Sequence, residues 1–244
     1  MNVRVGTSGY NFPEWKGPFY PAKMPGAKML EYYAERLGTV EINYTFYRMP
    51  NAKTVEGWDA ATPAGFTFVL KAPQRITHIA RLKDVDDPLR YFLETARKLG
   101  PKLGPILFQL PPNFKKDVDR LNDLLTQFPA DLRCAWEFRH ESWFVDEVYD
   151  ALRVGNAALC VADTEEGHTP LVATADFGYM RLRDEGYQKQ DLEQWAKTVK
   201  ELGKGWGDAF VFFKHEESGI GPKLAQEFGS LVRDRESPID RQVP

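Results

Sequence analysis

The chain has 244 residues, of which 43% are hydrophobic and 27% charged, a length and composition that suit a globular protein able to bury a sizeable core. Its formal net charge of -3 and pI near 5.9 exclude the global basic signature of a nonspecific nucleic-acid binder, so any such contact has to rest on a local patch. The two cysteines, Cys134 and Cys160, lie inside apolar strand-like runs where a free thiol packs as a small hydrophobe, and neither a disulfide nor a nucleophilic role is expected. The opening MNVRVGTSG enters a strand pattern without a charged and then apolar leader, and no apolar run approaches the roughly 18 residues of a membrane span. A cytoplasmic protein without membrane contact is expected.

In chain order, the first strand is predicted over 3–7 and breaks at Gly6 to Gly9 into a long aromatic, proline-rich loop, SGYNFPEWKGPFYP. Helix one follows, with Met29, Leu30, Tyr33 and Leu37 on one face at helical spacing and Gly38 as its stop. Strand two covers 39–43, where Val40 and Ile42 alternate with Glu41 and Asn43, and a helix over 53–61 is closed by Thr62 and Pro63. Strand three, 66–71, sets Phe66, Phe68 and Leu70 against Thr67, Val69 and Lys71; a loop carrying His78 leads to a helix over 88–99. Strand four covers 105–110, with Leu107 and Gln109 on one face and Pro111 and Pro112 ending it, and helix four covers 118–128.

Strand five lies in RCAWEFRHESW. With a period of two, Ala135, Glu137 and Arg139 point one way and Cys134, Trp136 and Phe138 the other, so one face is bulky and apolar while the other runs from a small residue into a carboxylate and a guanidinium. A helix over 145–153 and a strand over 157–163 follow. The segment 164–176 has no helical period, so unit six lacks a full helix. A strand over 179–183, a helix over 190–202, a strand over 209–213 and a helix over 222–232 complete the pattern, and the charged tail over 233–244, with Pro238 and Pro244, is expected to fray.

Strands alternating with helices imply parallel pairing through crossover helices, and eight such units in about 250 residues fit a closed (β/α)8 TIM barrel, an α/β fold, as a single domain over 1–232. A doubly wound sheet is the lesser alternative, because GTSGYNFPEW after strand one has two glycines but no helix start behind them. In a barrel the site forms at the C-terminal strand ends. Those ends hold three acids, Glu41, Glu137 and Asp163, against five bases, Lys71, Arg139, Arg181, Arg183 and Lys214. A cationic mouth in an acidic protein favours an anionic ligand, with arginine suited to grip phosphate or carboxylate; an internal salt-bridge network is the plainer alternative.

Glu137 is a candidate general acid or base, with burial pushing its pKa up and Arg139 pulling it down. Glu41 and Glu137 could also be a glycosidase pair, which only their separation decides. Lys71, among other cations, is a candidate base or Schiff-base amine, or simply an anion binder. Asn43 and Gln109 would orient a ligand, Asp163 and Lys214 would line it, and Tyr10 and Tyr47 belong to an aromatic cluster in the loops after strands one and two that could stack on a ring, although packing over the barrel suits most of that cluster. The four histidines, His78, His140, His168 and His215, share no metal-ligand spacing, so no cofactor is expected and a divalent metal is the weaker alternative.

GTSGYNFPEWKGPFYP, VEINYTFYRMP, FTFVLKAPQRITH, GPILFQLPPNF and AWEFRHESWF together resemble the domain of unknown function 72 family, the YecE-like proteins, through nearly the whole chain. The resemblance implies a TIM barrel distantly similar to the endonuclease IV and sugar-isomerase barrels, and no established activity. Two stretches depart from it. YMRLRDEGY has Arg183 where the family's histidine would stand, and FFKHEESG has Lys214 and His215 in place of two asparagines, which implies a subgroup with an altered ligand.

The expected function is therefore acid–base chemistry on a small phosphate- or carboxylate-bearing molecule, of hydrolase, lyase or isomerase class. Glu137, Glu41 and Lys71 would be catalytic, with Arg139 and Arg183 as anion clamps. A nucleic-acid-binding or phosphodiester-cleaving barrel is a less favoured reading, resting on analogy alone, and a noncatalytic ligand-binding barrel is a third. Nothing in the sequence addresses oligomeric state.

Overall fold

The computed structural model describes residues 1–164, 167–216 and 219–233, so the tail expected to fray lies, from residue 234 on, outside the described residues. Among the described residues, eight parallel strands close on themselves: β1 (Asn2–Ser8), β2 (Thr39–Ile42), β3 (Thr67–Lys71), β4 (Leu103–Gln109), β5 (Cys134–Glu137), β6 (Ala158–Thr164), β7 (Phe177–Leu182) and β8 (Asp208–Phe213). Each pairs with its chain neighbour and β8 returns to β1, from Asn2 beside Asp208 to Thr7 beside Phe213. This is the expected (β/α)8 barrel.

The helices are α1 (Met29–Ala34), α2 (Ala52–Ala60), α3 (Asp86–Ala96), α4 (Val118–Gln127), α5 (Asp146–Val154), α6 (Lys189–Leu202) and α7 (Ile220–Val232). Local chemistry starts several of them. Asn51 accepts a hydrogen bond from the Thr54 amide at the head of α2, Asp117 accepts one from the Arg120 amide at the head of α4, and Gln188 and Asp191 form a reciprocal capping box on α6. Among the described residues of unit six there is no helix; a two-residue strand, Gly167–His168, folds back antiparallel on the end of β6 instead.

Period-two alternation splits the buried side chains into two cores. Outward-facing residues such as Val40, Phe68, Ile106, Trp136 and Val211 pack under the helices, and Val69, Leu107, Ala135, Cys160, Tyr179 and Phe212 fill the barrel interior. On β5 the outward aromatics join a stacked column, Phe108 on Trp136 at 4.8 Å and Phe138 on Trp143 at 4.6 Å. That column fixes which face of β5 points out, because a one-residue slip would drive Trp136 into the barrel and Glu137 into the apolar layer.

At the N-terminal end of the barrel, Arg133 lies 5.3 Å from the Phe177 and Phe210 rings and pairs with Asp208 at 2.7 Å, capping the apolar interior there. Close approach of β1 and β2 needs Gly6, where an added Cβ would sit 2.1 Å from the Thr39 carbonyl oxygen. Gly6→Ala is expected to cost at least about 2 kcal/mol, read as a lower urea midpoint with an unchanged slope.

Candidate functional site

Parallel register brings the polar strand ends together. Ser8 lies beside Glu41, Gln109 beside Glu137, Lys71 beside Leu107 and Ala162 beside Arg181, all facing inward at the upper end of the interior. At the centre is Arg181, fully buried, with Nη1 donating to Glu137 Oε2 at 2.5 Å and Nη2 donating to Glu41 Oε1 at 2.9 Å. Tyr179 donates its hydroxyl to the second Glu41 oxygen at 2.6 Å, and the Gln109 amide donates to Glu137 at 2.9 Å. Arg139 Nε reaches the outer oxygen of Glu137 at 3.1 Å, and Arg183 lies 3.8 Å from the same atom.

Both carboxylates are completely buried, so these partners replace the water the carboxylates have lost. Burial pushes the Glu137 carboxyl up, but Arg181, Arg139, Arg183 and the Gln109 amide together hold it well below the usual carboxylate range. Burial also disfavours charge on Arg181, yet Glu137 and Glu41 outweigh it and the guanidinium stays charged. The two glutamates do not flank an open gap, since one guanidinium fills the space between them. A glycosidase pair needs room there for sugar or water.

Lys71 differs from every other cation at this end. It is 8% exposed and its Nζ rests 4.1 Å from the centre of the Phe46 ring, but the amine makes no hydrogen bond or ion pair among the described residues. Burial and the Arg181 charge outweigh the pull of Glu41 and Glu137 and bring its pKa down to about 7. Beside it, His78 packs edge-on to Phe46 at 4.8 Å and bonds Thr77 through Nδ1 at 2.9 Å. Burial and the charges of Lys71 and Arg139 lower His78 to about 4, so it is neutral at physiological pH.

His78 sits in a π-helical turn, Arg75–Ile79, followed by Arg81, Leu82 and Asp84 with φ of 49°, 65° and 51°. Non-glycine residues adopt that conformation only under constraint, and both features recur at functional sites. Two buried polar atoms at the ends of β1 and β2, Ser8 Oγ and Asn43 Oδ1, have no hydrogen-bond partner among the described residues. Two cavities flank the central network. One, of about 440 Å³, is lined by Tyr10, Asn43, Tyr44, Tyr47 and Trp58. The other, of about 400 Å³, is lined by Arg183, Lys214 and His215 with the first residue of α7.

The family model of "Protein of unknown function DUF72" matches residues 4–244. The chain belongs to the DUF72 family. It is 29% identical to the UPF0759 protein YunF of Bacillus subtilis over 89% of this chain and 90% of that protein. It is 32% identical to the UPF0759 protein YecE of Escherichia coli K12 over 54% of this chain and 48% of that protein. Among solved structures, a DUF72 protein from Thermotoga maritima superimposes with a TM-score of 0.84 at 28% identity, covering 95% of this chain and 99% of that one. D-psicose 3-epimerase from Clostridium cellulolyticum shares the barrel fold alone, at a TM-score of 0.52 and 14% identity over 94% and 92% of the two chains.

Within this DUF72 barrel, Glu41, Lys71, Gln109, Glu137, Arg139 and Arg183 converge as the strand ends imply. Asp163 does not join them: it accepts the Arg183 amide at 2.5 Å and the Tyr187 hydroxyl, and so braces the segment after β7. Lys214 stands at the rim, 3.6 Å from Glu216. Tyr10 is partly buried with its ring 6.3 Å from that of Tyr33, whereas Tyr47 is 73% exposed. Cys134 packs outside the barrel and Cys160 inside, and burial pushes both thiols up, Cys134 to about 12. Trp15, Phe19, Tyr20 and Tyr33 of the long first loop and α1 pack on one another, as expected of most of the aromatic cluster.

Sequence reasoning placed Ser8 among the strand ends and Phe46 in the aromatic loop cluster, but it did not single out Tyr179 or His78 as parts of the site. Tyr179 could have been found by counting two residues back from Arg181; Phe46 and His78 carry no periodic signal. Among the described residues, no three His, Cys, Asp or Glu side chains gather closely enough to hold a metal ion, and no helix is long and apolar enough to cross a membrane.

Arg181→Met is expected to destabilise by about 3–5 kcal/mol, because it strands two buried carboxylates, with Glu41→Gln and Glu137→Gln in the same chain recovering part of the loss in urea denaturation. Since the folded-state pKa of Glu137 is depressed, its contribution is complete above the unfolded value of about 4.3 and is lost as pH falls below it. Glu137→Gln should therefore flatten the acid limb of a stability-against-pH curve.

Proposed function

We propose that this protein is an enzyme that binds a small phosphate- or carboxylate-bearing substrate at the mouth of the barrel and moves protons through Lys71. The observation that carries the reading is the uncommitted, nearly buried amine at the end of β3, beside the positive charge of Arg139 and Arg181. A lysine without a carboxylate partner has no structural ion pair to maintain, and one with a pKa near the working pH can both accept and return a proton.

The other side chains take supporting roles. Arg139, with a third of its side chain exposed, and Arg183, one fifth exposed, offer guanidinium nitrogens to the ligand's anionic group while their partners Glu137 and Asp163 hold them in place. Glu41 and Glu137, both spoken for by Arg181, stage the charge and do not carry the proton. Ser8 and Asn43 present unpartnered oxygens to ligand hydroxyl or amide groups, and Tyr10 and Tyr47 form an aromatic wall beside them. Proton transfer at carbon, as in a lyase or isomerase, needs no group beyond these.

The test has two arms. Inorganic phosphate binding, followed by calorimetry, should weaken about tenfold in Arg139→Ala and fall with added salt, as expected of a charge-assisted grip worth about 1.4 kcal/mol or more. Small phosphorylated and carboxylate compounds, screened in deuterated water by NMR, should include one that exchanges a carbon-bound proton. The rate should rise through about pH 7 as neutral amine forms and should be lost in Lys71→Met, with phosphate affinity kept within about threefold. Failure of phosphate and carboxylates to bind at the mouth would overturn the reading.

A further inference from the structure

Lys71 can be asked for more than proton transfer, because an amine that is uncharged, poorly hydrated and free of hydrogen bonds is also a nucleophile. Three observations bear on this. The side chain is enclosed by Phe46 and the barrel wall, which excludes bulk water, yet Nζ is not among the sealed polar atoms of the interior. No carboxylate of the described residues pairs with it, although Glu41 and Glu137 lie close enough to be felt, since Arg181 has engaged both. The cations nearby, Arg139 and Arg181, disfavour a further positive charge on Lys71 unless a ligand brings negative charge with it.

From this arrangement we propose that Lys71 forms an imine with a substrate carbonyl, and that the substrate class is a small aldehyde or ketone bearing a carboxylate or phosphate group. The proposal rests on the anionic-substrate reading given above and narrows it. The Nζ lone pair attacks the carbonyl carbon, the C–N bond forms and the carbonyl π pair moves to oxygen, which takes up a proton as one N–H proton leaves. Departure of that hydroxyl with the second N–H proton, as water, gives the C=N bond. Amine and carbonyl thus become imine and water, and nothing is oxidised or reduced.

The imine gains a proton to become a cation, and the negative group on the substrate offsets that charge among the arginines. The same group, held by Arg139 and Arg183, places the carbonyl at the amine. A cationic imine then serves as the electron sink for breaking a bond at the adjacent carbon, which joins this step to the proton transfers of a lyase or isomerase. His78, neutral and packed on the same Phe46 ring, is available to relay a proton at this end of the barrel.

The experiment uses the full chain at pH 7.5 with glyoxylate and sodium cyanoborohydride, which reduces an imine to a stable secondary amine, followed by peptide mapping by mass spectrometry. Glycolaldehyde serves as the uncharged comparison. Lys71 should be modified by glyoxylate about 100-fold faster than exposed lysines such as Lys28, Lys98 and Lys189, because ordinary lysines, with pKa about 10.4, are almost entirely protonated there. Inorganic phosphate should slow the glyoxylate reaction at Lys71, as should Arg139→Ala, and both should have less effect with glycolaldehyde.

The primary readout maps sites on the unaltered protein, so it does not depend on a variant folding. Modification confined to exposed lysines, with inorganic phosphate still binding at the mouth, overturns the imine and leaves the anionic-substrate reading standing. Absence of both overturns the two together. Lys71 modification that is equally fast with both aldehydes and indifferent to phosphate overturns the assigned substrate class.

Discussion

The upper half of this barrel depends on one guanidinium. Arg181, on β7, is buried with two carboxylates from opposite parts of the sheet, Glu41 on β2 and Glu137 on β5, and each of the three would be untenable in the interior without the others. The contact crosses the barrel and ties strands that do not pair. Tyr179 and Gln109 satisfy further lone pairs of the carboxylates, so the network is nearly complete, with Arg181 Nε left over.

That constraint explains the state of Lys71. Three arginines, 139, 181 and 183, surround two glutamates, and burial together with the Arg181 charge disfavours a proton on the lysine in a site with little water. The amine is released from charge pairing by the completeness of the network around it. The same arginines leave the mouth short of negative charge, and an anionic ligand would complete its balance. A frame of this kind would hold its donors in position before the proposed ligand arrived, which limits the ordering cost of binding.

The β5 segment shows how far the chain could be read directly. Alternation of Trp136 and Phe138 with Ala135 and Glu137 identifies the strand and its two faces, and the outer aromatic column and the inward carboxylate follow. The same period places Lys71, Gln109 and Arg181 inside the barrel, and the missing helix of unit six is visible as a lost helical period over 164–176. Element ends shifted by a residue or two, as at β4, which starts at Leu103 where the pattern points to 105, because capping and ladder hydrogen bonds rather than hydrophobic period decide the last residues. The one-turn helix Tyr44–Tyr47 and the π-helical turn at Arg75–Ile79 are too short to carry a period at all, which is why Phe46 and His78 gave no periodic signal.

By itself the sequence determined the barrel, the end at which its polar groups gather and the sign of their charge, because those follow from local alternation and from the way parallel strands must close. Only the tertiary structure decided which partners each group takes. Asp163 is near the mouth in sequence pattern, yet it braces Arg183 and Tyr187. Glu137 has the pattern of a proton-transfer group but is committed to three cations and an amide, whereas the Lys71 amine is left without a hydrogen-bond or ion-pair partner among the described residues. Charge state and partner choice depend on distances between strands far apart in the chain, and burial and Coulomb interactions act through those distances, not through the order of residues.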